Sequence, residues 1–361
     1  MLSVFVKQFY LPAYACLPQA GEVKGREMIS TSERLKSAMP RKLKWGVAGC
    51  GDFTENHFLP VMQVLQRSKL VSVFSHDLNR AKNVSNKFGA QNAFDDFTQF
   101  LSSGIDAVYI SGKNSDHYQQ VIKAAQAGKN ILCEQPIALD SKQAEEMVNI
   151  CKAKNVILAI NHLHRYHPLV LKAKELLEKH MLGKIISISA SCNVDRTPDD
   201  NFRFKKELSG GGVLRDLGLQ WINMLRYFGG EITEVKAFKD NIIYKSEVED
   251  FAAAILKFEK GGYGFLNVSC DSKKYYNKIE ILGYNGLISI EEISGKRITS
   301  VKLIIELQGE TKRVFRKRTN KLLFMLRSIQ KSFLRNSPPV ITGEEELAGM
   351  KIIEEIERQC R

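Results

Sequence analysis

The residues from Leu43 to Thr54 read LKWGVAGCGDFT, and this stretch decides the fold that the sequence predicts. Its first half is a short apolar run typical of a buried strand, and Gly49 and Gly51 follow at once. A helical pattern then runs from about Asn56 to Gln66. A strand, a glycine turn and a helix in this order are typical of a nucleotide-binding βαβ unit, because the turn lets a phosphate approach the backbone.

The glycine turn itself predicts a cofactor site. Gly49 allows the tight turn and Gly51 lets a pyrophosphate approach, Asp52 and Phe53 come next, and the N-terminus of the following helix offers N–H donors. Thr54 stands where the third glycine of such a turn is usual. We therefore expect dinucleotide binding, and the alternative is a unit of this fold that has lost its ligand.

Further strands alternate with helices along the N-terminal part of the chain. Apolar runs from Leu70 to Phe74, from Ile105 to Ile110 and from Asn130 to Cys133 are typical of strands, and helical stretches separate them. This alternation indicates βαβ units and a parallel sheet. The sequence thus predicts an α/β fold in which residues 41–162 form a Rossmann domain with a doubly wound parallel sheet.

The pattern changes after about residue 161. The segment from Lys184 to Val194 alternates apolar and polar residues, as a strand of an open antiparallel sheet does. Six later segments resemble it, namely Ile232 to Phe238, Asp250 to Phe258, Gly262 to Val268, Lys278 to Leu282, Leu287 to Glu292 and Val301 to Leu307. We expect an α+β domain with a large, mainly antiparallel open sheet over residues 163–342, then a C-terminal helix over 343–361. Residues 1–40 are expected to be a poorly ordered extension.

Composition places the 361-residue chain among ordinary globular proteins. It is 44% hydrophobic and 26% charged, which excludes a mainly disordered or collagen-like chain. No uncharged apolar run approaches the roughly 20 residues that a membrane helix needs. The seven cysteines are odd in number and contain no C-x-x-C pair, which argues against a disulfide framework and favours a cytoplasmic protein.

The net charge of +13 predicts an attraction to anions. Residues Lys312 to Arg335 carry nine basic side chains and no acidic one. We interpret this segment as a solvated basic helix, and the alternative is a patch for an anion, a nucleotide sugar or a membrane surface. No nucleic-acid partner is expected, because interleaved aromatic residues on a groove-lining strand are lacking.

The end of the second predicted strand bears on the choice of cofactor. An Asp or Glu there would bond the ribose 2′-hydroxyl of NAD. This chain has Ser75 and His76 instead, and Arg80 follows in the next helix. Because these side chains suit a 2′-phosphate, we expect NADP in preference to NAD. The alternative is that Ser75 only ends a strand.

Four motifs resemble those of the glucose–fructose oxidoreductase / inositol dehydrogenase / MocA (Gfo/Idh/MocA) family. They are LKWGVAGCG at 43–51, GKNILCEQP at 128–136, GGGVLRDLGLQ at 210–220 and VEDF at 248–251. The resemblance covers about residues 42–360. It implies hydride transfer between a nicotinamide and a sugar or cyclitol hydroxyl, and a homodimer or homotetramer formed through the C-terminal sheet.

Two departures from the family fall on the positions that carry its chemistry. The resemblance implies a lysine that polarises the reacting hydroxyl where this chain has Gln135, and an acid/base histidine where it has Gln220. Neither glutamine titrates, although each can bond a sugar hydroxyl. Asp216 is retained, and Lys113 stands where the family usually has proline. The candidate catalytic residues are therefore Asp216, Gln220, Gln135 and Lys113.

Lys113 offers a replacement for the missing lysine. Lys113 and Gln135 follow neighbouring strands of the doubly wound order, and such strands lie about 4.8 Å apart. A lysine stem spans that distance, so the Lys113 ammonium could orient a substrate hydroxyl near Gln135. The alternative is that Lys113 reaches solvent or a cofactor phosphate.

The nucleotide-binding pattern and the resemblance together define the other candidate residues. Those for the cofactor are Gly49, Gly51, Asp52, Phe53, Ser75, His76, Arg80, Ser111, Asn114, His117, Glu134 and Gln135. Those for the substrate are Arg165, Tyr166, Asp216 and Gln220. The nearby His162, His164 and His167 lack a Cys or carboxylate that would complete a ligand set, so no metal site is expected.

These observations predict an NAD(P)-dependent oxidoreductase that acts on a sugar, sugar-nucleotide or cyclitol hydroxyl with non-standard acid/base residues. The net charge of +13 favours an anionic substrate. The alternative is a catalytically silent, nucleotide-binding member of the family that serves as a sensor or partner subunit.

Overall fold

The computed structural model describes residues 41–294 and 298–360, and the extension expected over residues 1–40 lies outside them. The first sheet contains β1 (Leu43–Ala48), β2 (Ser68–Phe74), β3 (Asn92–Phe94), β4 (Ala107–Ile110), β5 (Asn130–Cys133) and β6 (Leu158–Ile160). Its order is β3-β2-β1-β4-β5-β6, and every neighbouring pair is parallel. This confirms the doubly wound parallel sheet.

Helices connect these strands and cover the sheet. They are α1 (Leu59–Met62), which continues a π-helical turn over Thr54–Phe58, then α2 (Leu78–Phe88), α3 (Phe97–Leu101), α4 (Asn114–Gln126) and α5 (Ser141–Ala153). Consecutive residues of β1 and β4 are buried, as expected for strands covered on both faces. The sequence did not predict β3, because it has only three residues and Asn92 is exposed.

A second sheet follows in the chain. A 3-10 turn (Leu163–Tyr166), α6 (Pro168–Glu178) and β7 (Ile185–Asp195) precede α7 (Lys206–Ser209), a second π-helical turn (Leu214–Gly218) and α8 (Leu219–Gly229). The remaining strands are β8 (Ile232–Asp240), β9 (Phe251–Phe258), β10 (Tyr263–Ser269), β11 (Asp271–Gly283), β12 (Gly286–Glu291), β13 (Ile298–Leu307) and β14 (Arg313–Asn320). Their order is β14-β13-β12-β11-β7-β10-β9-β8, and all pairs except β7 with β10 are antiparallel.

This sheet has one covered and one open face. On β9, Ala254 and Leu256 are buried, whereas Ile255 between them is 50% exposed. Phe265 on β10 lies directly opposite Ile255 and is 40% exposed. The alternation confirms the mainly antiparallel open sheet that the sequence predicts.

The basic segment from Lys312 to Arg335 is not one helix, which corrects the sequence-based interpretation. Its first part is the edge strand β14, and its second part is α9 (Lys321–Arg335). Asn320 separates them, because its side chain accepts a hydrogen bond from the Leu323 backbone and caps the helix. The exposed charges along β14 suit an edge strand, since they oppose pairing with another chain.

The last two helices connect the two sheets. On α9, the Gln330 amide donates to Ser68 Oγ of β2. Helix α10 (Gly343–Gln359) packs on α5, where the Glu354 carboxylate accepts hydrogen bonds from the backbone nitrogen and the hydroxyl of Ser141. Glu357 of α10 pairs with Arg215 of the second π-helical turn. Within the described ranges, no helix is both long enough and apolar enough to cross a membrane.

Candidate active site

The turn after β1 contains two glycines, and packing within the protein requires glycine at position 49 but not at position 51. Gly49 has a φ of +108°, and a Cβ atom there would lie 2.8 Å from the carbonyl carbon of Ser111 and 2.9 Å from the nitrogen of Gly112. The protein itself therefore requires glycine at position 49. A Cβ atom on Gly51 would meet no atom within 4 Å. The space in front of Gly51 is thus open, and nothing in the chain explains the lack of a side chain there.

Hydroxyl groups join this turn to the end of β4. Thr54 Oγ1 and Ser111 Oγ are 2.7 Å apart, and Ser111 Oγ also lies 3.2 Å from the carbonyl oxygen of Ala48. Thr54 is buried at the place of the third glycine, within the first π-helical turn. Turns of this kind are frequent at functional sites. Ser111 therefore helps to hold the glycine turn in place.

Asp52 and Phe53 begin the helix that follows the turn. The Asn56 amide donates to the Asp52 carboxylate over 2.6 Å, and the Phe53 ring packs against that of His57 with centroids 5.4 Å apart. Both side chains thus have partners inside the protein. Their backbone N–H groups, at the first positions of the helix, remain suited to a phosphate.

The end of β2 contains a carboxylate that the sequence reasoning did not weigh. Asp77 caps α2, since its Oδ1 accepts from the backbone nitrogens of Asn79 (2.9 Å) and Arg80 (3.3 Å). The Asp77 backbone in turn donates to Ser75 Oγ over 3.2 Å. The exposed His76 has its Nε2 3.4 Å from a carboxylate oxygen of Asp116 on α4. Asp77 is therefore engaged by the helix N-terminus, and Ser75 stays next to β2.

Two residues expected at the cofactor have hydrogen-bond partners that hold α4 against other parts of the protein, and their contact with a cofactor stays a prediction. The Asn114 amide donates to the carbonyl of Ser209 at the end of α7 over 2.9 Å. His117 is buried and donates from Nδ1 to the carbonyl of Pro136 over 2.9 Å. Burial lowers the pKa of His117, so the imidazole is neutral at physiological pH. Both side chains thus fix the position of α4 relative to α7 and to the end of β5.

The end of β5 presents a carboxylate and a buried amide side by side. Glu134 Oε1 accepts hydrogen bonds from the Tyr109 hydroxyl and from the Asn161 amide. Burial raises the pKa of Glu134, against the opposing effect of these two hydrogen bonds. The Oε1 atom of Gln135 is buried and has no hydrogen-bond partner. A buried polar atom of this kind normally finds a donor, so a ligand at this position would satisfy it.

Lys113 is exposed at the start of α4, immediately before Asn114. Because Gln135 Oε1 has no partner, no hydrogen bond joins it to the Lys113 ammonium. Strands β4 and β5 are hydrogen-bonded neighbours, as the sequence reasoning assumed. The proposed reach of the Lys113 ammonium toward Gln135 therefore stays a prediction.

Asp216 lies in the second π-helical turn and is held by two arginines. Its Oδ2 accepts from Arg196, and its Oδ1 accepts from Arg203 Nε over 3.1 Å. Burial acts to raise the pKa of Asp216, but the two guanidinium groups outweigh it and hold that pKa below its ordinary value. A carboxylate so stabilised is a weak proton acceptor. Gln220 follows one helical turn later on α8 and is half-buried.

An electrostatic interaction connects Glu134, at the end of β5, with one of the two arginines that bind Asp216. The charge of Arg203 acts to lower the pKa of the Glu134 carboxyl, so Arg203 lies within electrostatic range of the end of β5. The structure thus brings Glu134, Asp216 and the cations of Arg196 and Arg203 into one region. The sequence reasoning missed both arginines. The available signal was a retained aspartate in a buried turn, which needs cationic partners.

Arg165 and Tyr166, expected to contact substrate, have partners within the protein. The Arg165 guanidinium pairs with Glu345 and lies over the Tyr227 ring, 4.4 Å from its centre. Tyr166 is buried, and burial raises the pKa of its hydroxyl. The 3-10 turn that carries both residues packs against α9, which explains the burial of Tyr166. A substrate contact by either residue stays a prediction.

The three histidines near this turn are buried. His162 Nε2 lies 2.6 Å from Glu346 Oε2, and the Asn223 amide donates to the same oxygen over 2.7 Å. His164 packs edge-on against Trp221, and burial lowers the pKa of His164 well below its ordinary value. In the part of the chain that the structure describes, no three His, Cys, Asp or Glu side chains are arranged to hold a metal ion.

Two family models match the chain over most of the described sequence. One is described as "Oxidoreductase family, NAD-binding Rossmann fold" and matches residues 43–162. The other is described as "GFO/IDH/MocA C-terminal domain" and matches residues 170–289. The two matches fall on the parallel and the antiparallel sheets respectively.

Three known proteins illustrate the similarity. An scyllo-inositol 2-dehydrogenase (NADP(+)) of Bacillus subtilis is 30% identical over 261 residues, which span 70% of this chain and 76% of that protein. The crystal structure of an aldose-aldose oxidoreductase from Caulobacter crescentus superimposes with a TM-score of 0.83 at 23% identity, covering 89% of this chain and 98% of the other. A levoglucosan dehydrogenase in complex with NADH gives a TM-score of 0.80 at 21% identity over 88% and 97% of the two chains. At these identities the two structures establish the shared fold.

His167 leads to a prediction about acid stability. Its Nδ1 accepts from the Leu169 backbone and caps α6, while burial, aided by the nearby Lys321 charge, lowers the pKa of His167 to about 4. The unfolded chain binds this proton near pH 6.5, so stability is lost as the pH falls from about 6.5 to about 4. We expect this single group to remove about 3 kcal/mol of unfolding free energy over that interval.

The measurement is urea unfolding of wild type and His167→Asn between pH 7 and pH 4. Asparagine retains a capping acceptor but does not titrate, so the variant should lose markedly less stability on acidification. His180→Asn, at an exposed histidine with a φ of +55°, is the matched control and should behave as wild type. An unchanged pH dependence in His167→Asn would contradict the assignment.

Proposed function

Because this chain belongs to the Gfo/Idh/MocA oxidoreductase family, we propose that it binds a nicotinamide dinucleotide and interconverts a hydroxyl and a carbonyl group on a sugar, sugar nucleotide or cyclitol. The observation that carries this proposal is the open space in front of Gly51, directly between the end of β1 and a helix N-terminus. The chain needs no glycine there for its own packing. A pyrophosphate that lies against the backbone requires glycine at this position.

The residues of the crevice fit such a cofactor. Gly51 and the first N–H groups of the following helix suit the pyrophosphate, and the unpaired Gln135 Oε1 suits an amide or hydroxyl donor. When bound, the nicotinamide supplies the acceptor or donor of a hydride. Ser75 and Arg80, at the end of β2 and the start of α2, suit the ribose end.

We prefer NADP to NAD for this site. Ser75 occupies the place where a carboxylate would repel a 2′-phosphate, and Arg80 adds a positive charge. Asp77 is close in sequence, but its oxygen is directed at the N–H groups of α2. One relative is named as an NADP(+) enzyme and one similar structure holds NADH. Both support a nicotinamide dinucleotide as the cofactor, and the preference for NADP rests on Ser75 and Arg80.

Proton handling in this site differs from the family pattern. Oxidation of a secondary alcohol releases a proton, and neither Gln135 nor Gln220 can take it. Asp216 is held ionised by two guanidinium groups and accepts a proton poorly. Lys113 is an exposed cation immediately before α4, and we assign it the task of orienting the reacting hydroxyl.

A second candidate is a catalytically silent member that binds the nucleotide as a sensor or partner subunit. The observation that favours it is that glutamines stand at both chemical positions while Asp216 is locked by Arg196 and Arg203. In either case the open face of the second sheet, with Ile255 and Phe265 exposed, suits a homodimer or homotetramer. The chain is proposed to act in the cytoplasm, on a small molecule and not on nucleic acid.

Gly51→Val tests cofactor binding. The Cβ atom of the new side chain would meet no described atom within 4 Å, so we expect the variant to weaken NADP and NAD binding by at least about tenfold while leaving the melting temperature unchanged. Gly51→Ala should give a smaller loss. Fluorescence titration with NADPH and NADH measures both variants. Unaltered affinity in Gly51→Val, with a folded protein, would place the nucleotide elsewhere.

Lys113→Met tests the orienting role. If the ammonium holds the reacting hydroxyl, the variant should lose about tenfold or more in kcat/KM while cofactor affinity changes little, because a charged hydrogen bond is removed. Lys123→Met, at an exposed position of the same helix α4, is the matched control. Full activity of Lys113→Met on a true substrate would end this assignment.

A double variant separates the enzyme from the silent alternative. Gln135→Lys with Gln220→His places titratable groups at both chemical positions, and positioned acid/base groups contribute about a hundredfold or more. If the native site is a working enzyme rebuilt around glutamine, this variant should not exceed wild-type turnover in a screen of sugars, sugar nucleotides and cyclitols. Turnover that arises only in the double variant would favour the silent member.

A further inference from the structure

Two arginines share one carboxylate in the substrate region. Arg196 follows β7 directly, and Arg203 lies in a 3-10 turn over Phe202–Phe204. Each donates to a different oxygen of Asp216. Among the described residues, no other carboxylate lies within ion-pair distance of either guanidinium group, so the cluster of Arg196, Arg203 and Asp216 carries an excess positive charge.

The guanidinium groups keep unused donors that face solvent. Arg196 uses Nη1 for Asp216, and Arg203 uses Nε for Asp216 and Nη1 for Asn201 over 3.4 Å. Arg196 Nη2 and Arg203 Nη2 make no hydrogen bond to a described residue, and neither atom is buried. The Arg196 and Arg203 side chains are 37% and 39% exposed, whereas Asp216 is 23% exposed. The cations therefore lie on the solvent side of the carboxylate.

The positions of Arg196 and Arg203 connect them to the two glutamines at the predicted chemical positions. Asp216 precedes Gln220 by one helical turn, and the charge of Arg203 acts on the Glu134 carboxyl next to Gln135. The Phe202 ring lies under the Arg203 guanidinium, 4.7 Å from ring centre to the guanidinium carbon, and restricts where that fork can point. The 3-10 turn that carries Arg203 packs against α7, and Ser209 at the end of α7 accepts a hydrogen bond from Asn114, which follows Lys113. The arginine cluster is thereby tied to the start of α4, beside the predicted substrate site.

We propose that Arg196 and Arg203 form a receptor for an oxyanion carried by the carbohydrate substrate. A guanidinium fork matches the geometry of carboxylate and phosphate oxygens, and two forks that share one carboxylate retain capacity for a second anion. The substrate class is therefore a sugar or cyclitol that bears a carboxylate, a phosphate or a nucleoside diphosphate. This inference rests on the proposed function, because it takes the crevice as the substrate site.

Binding of matched pairs of sugars tests the receptor. Calorimetry of the full chain, with cofactor at saturation, compares glucose with glucuronate, glucose 6-phosphate and UDP-glucose, which separate the three sources of the oxyanion. At least one charged probe should bind about tenfold or more tightly than glucose, and added NaCl should weaken it. No advantage of any charged probe over glucose would overturn the proposal.

Variants then assign the effect to the arginines. Arg203→Gln and Arg196→Gln should each weaken the preferred charged probe by about tenfold or more and leave glucose unaffected, whereas Arg203→Lys, which keeps the charge and loses the fork, should fall in between. Arg327→Gln, at an exposed arginine of α9, is the matched control. Equal binding of the charged probe by wild type and both glutamine variants would overturn the proposal.

The readouts separate failure of this inference from failure of the proposed function. NADPH fluorescence on the same variants reports whether the cofactor site is intact, and the arginine variants should bind NADPH as wild type does. If NADPH binds but charged sugars have no advantage, only the oxyanion receptor fails. If wild type binds neither NADPH nor NADH, the proposed function fails, and charged-sugar titrations without cofactor still decide on the arginines.

Discussion

The backbone of Gly49 lies against the backbone of Ser111 and Gly112, so close that a Cβ atom would be 2.8 Å from the nearest atom. This approach joins the turn after β1 to the end of β4, and the Thr54–Ser111 hydroxyl contact secures it. The crevice depends on this junction, because β4, β5 and the helices that follow them are placed relative to it. Gly51, two residues further, then faces open space at the edge of a parallel sheet, where such folds bind nucleotides.

Around this crevice the polar groups serve two different purposes. Asn114, His117 and the His162–Glu346 pair are buried and hold elements together, and their hydrogen bonds are made within the protein. Among the described residues, Gln135 Oε1 is buried without a hydrogen-bond partner, as are His117 Nε2 and Glu346 Oε1, and Arg196 Nη2 and Arg203 Nη2 bond no described residue. Internal hydrogen bonds therefore hold these elements together, while Gln135 and the two arginines keep groups that a ligand can bind. The two guanidinium groups hold the pKa of Asp216 below its ordinary value, so we propose that Asp216 anchors these cations and is not the base.

Local patterns were sufficient to predict much of this from sequence. The glycine turn follows from residues adjacent in the chain, and the alternation in β9 follows from one covered face. Other features depend on contacts that sequence spacing does not reveal. Arg203 meets Asp216 across an irregular segment, Arg165 is drawn to Glu345 on the last helix, and β14 is a strand only because β13 pairs with it. Charge alone made the β14 segment resemble a helix.

The central claim is that this crevice binds a nicotinamide dinucleotide through the turn at Gly49 and Gly51. Native mass spectrometry of the purified chain, before and after dialysis against NADP and NAD, tests it most directly. The account predicts a bound species with the mass of one dinucleotide per chain, present on purification or restored by dialysis, and absent from Gly51→Val. A wild-type chain that shows only the apo mass, even after dialysis against millimolar cofactor, would contradict the account.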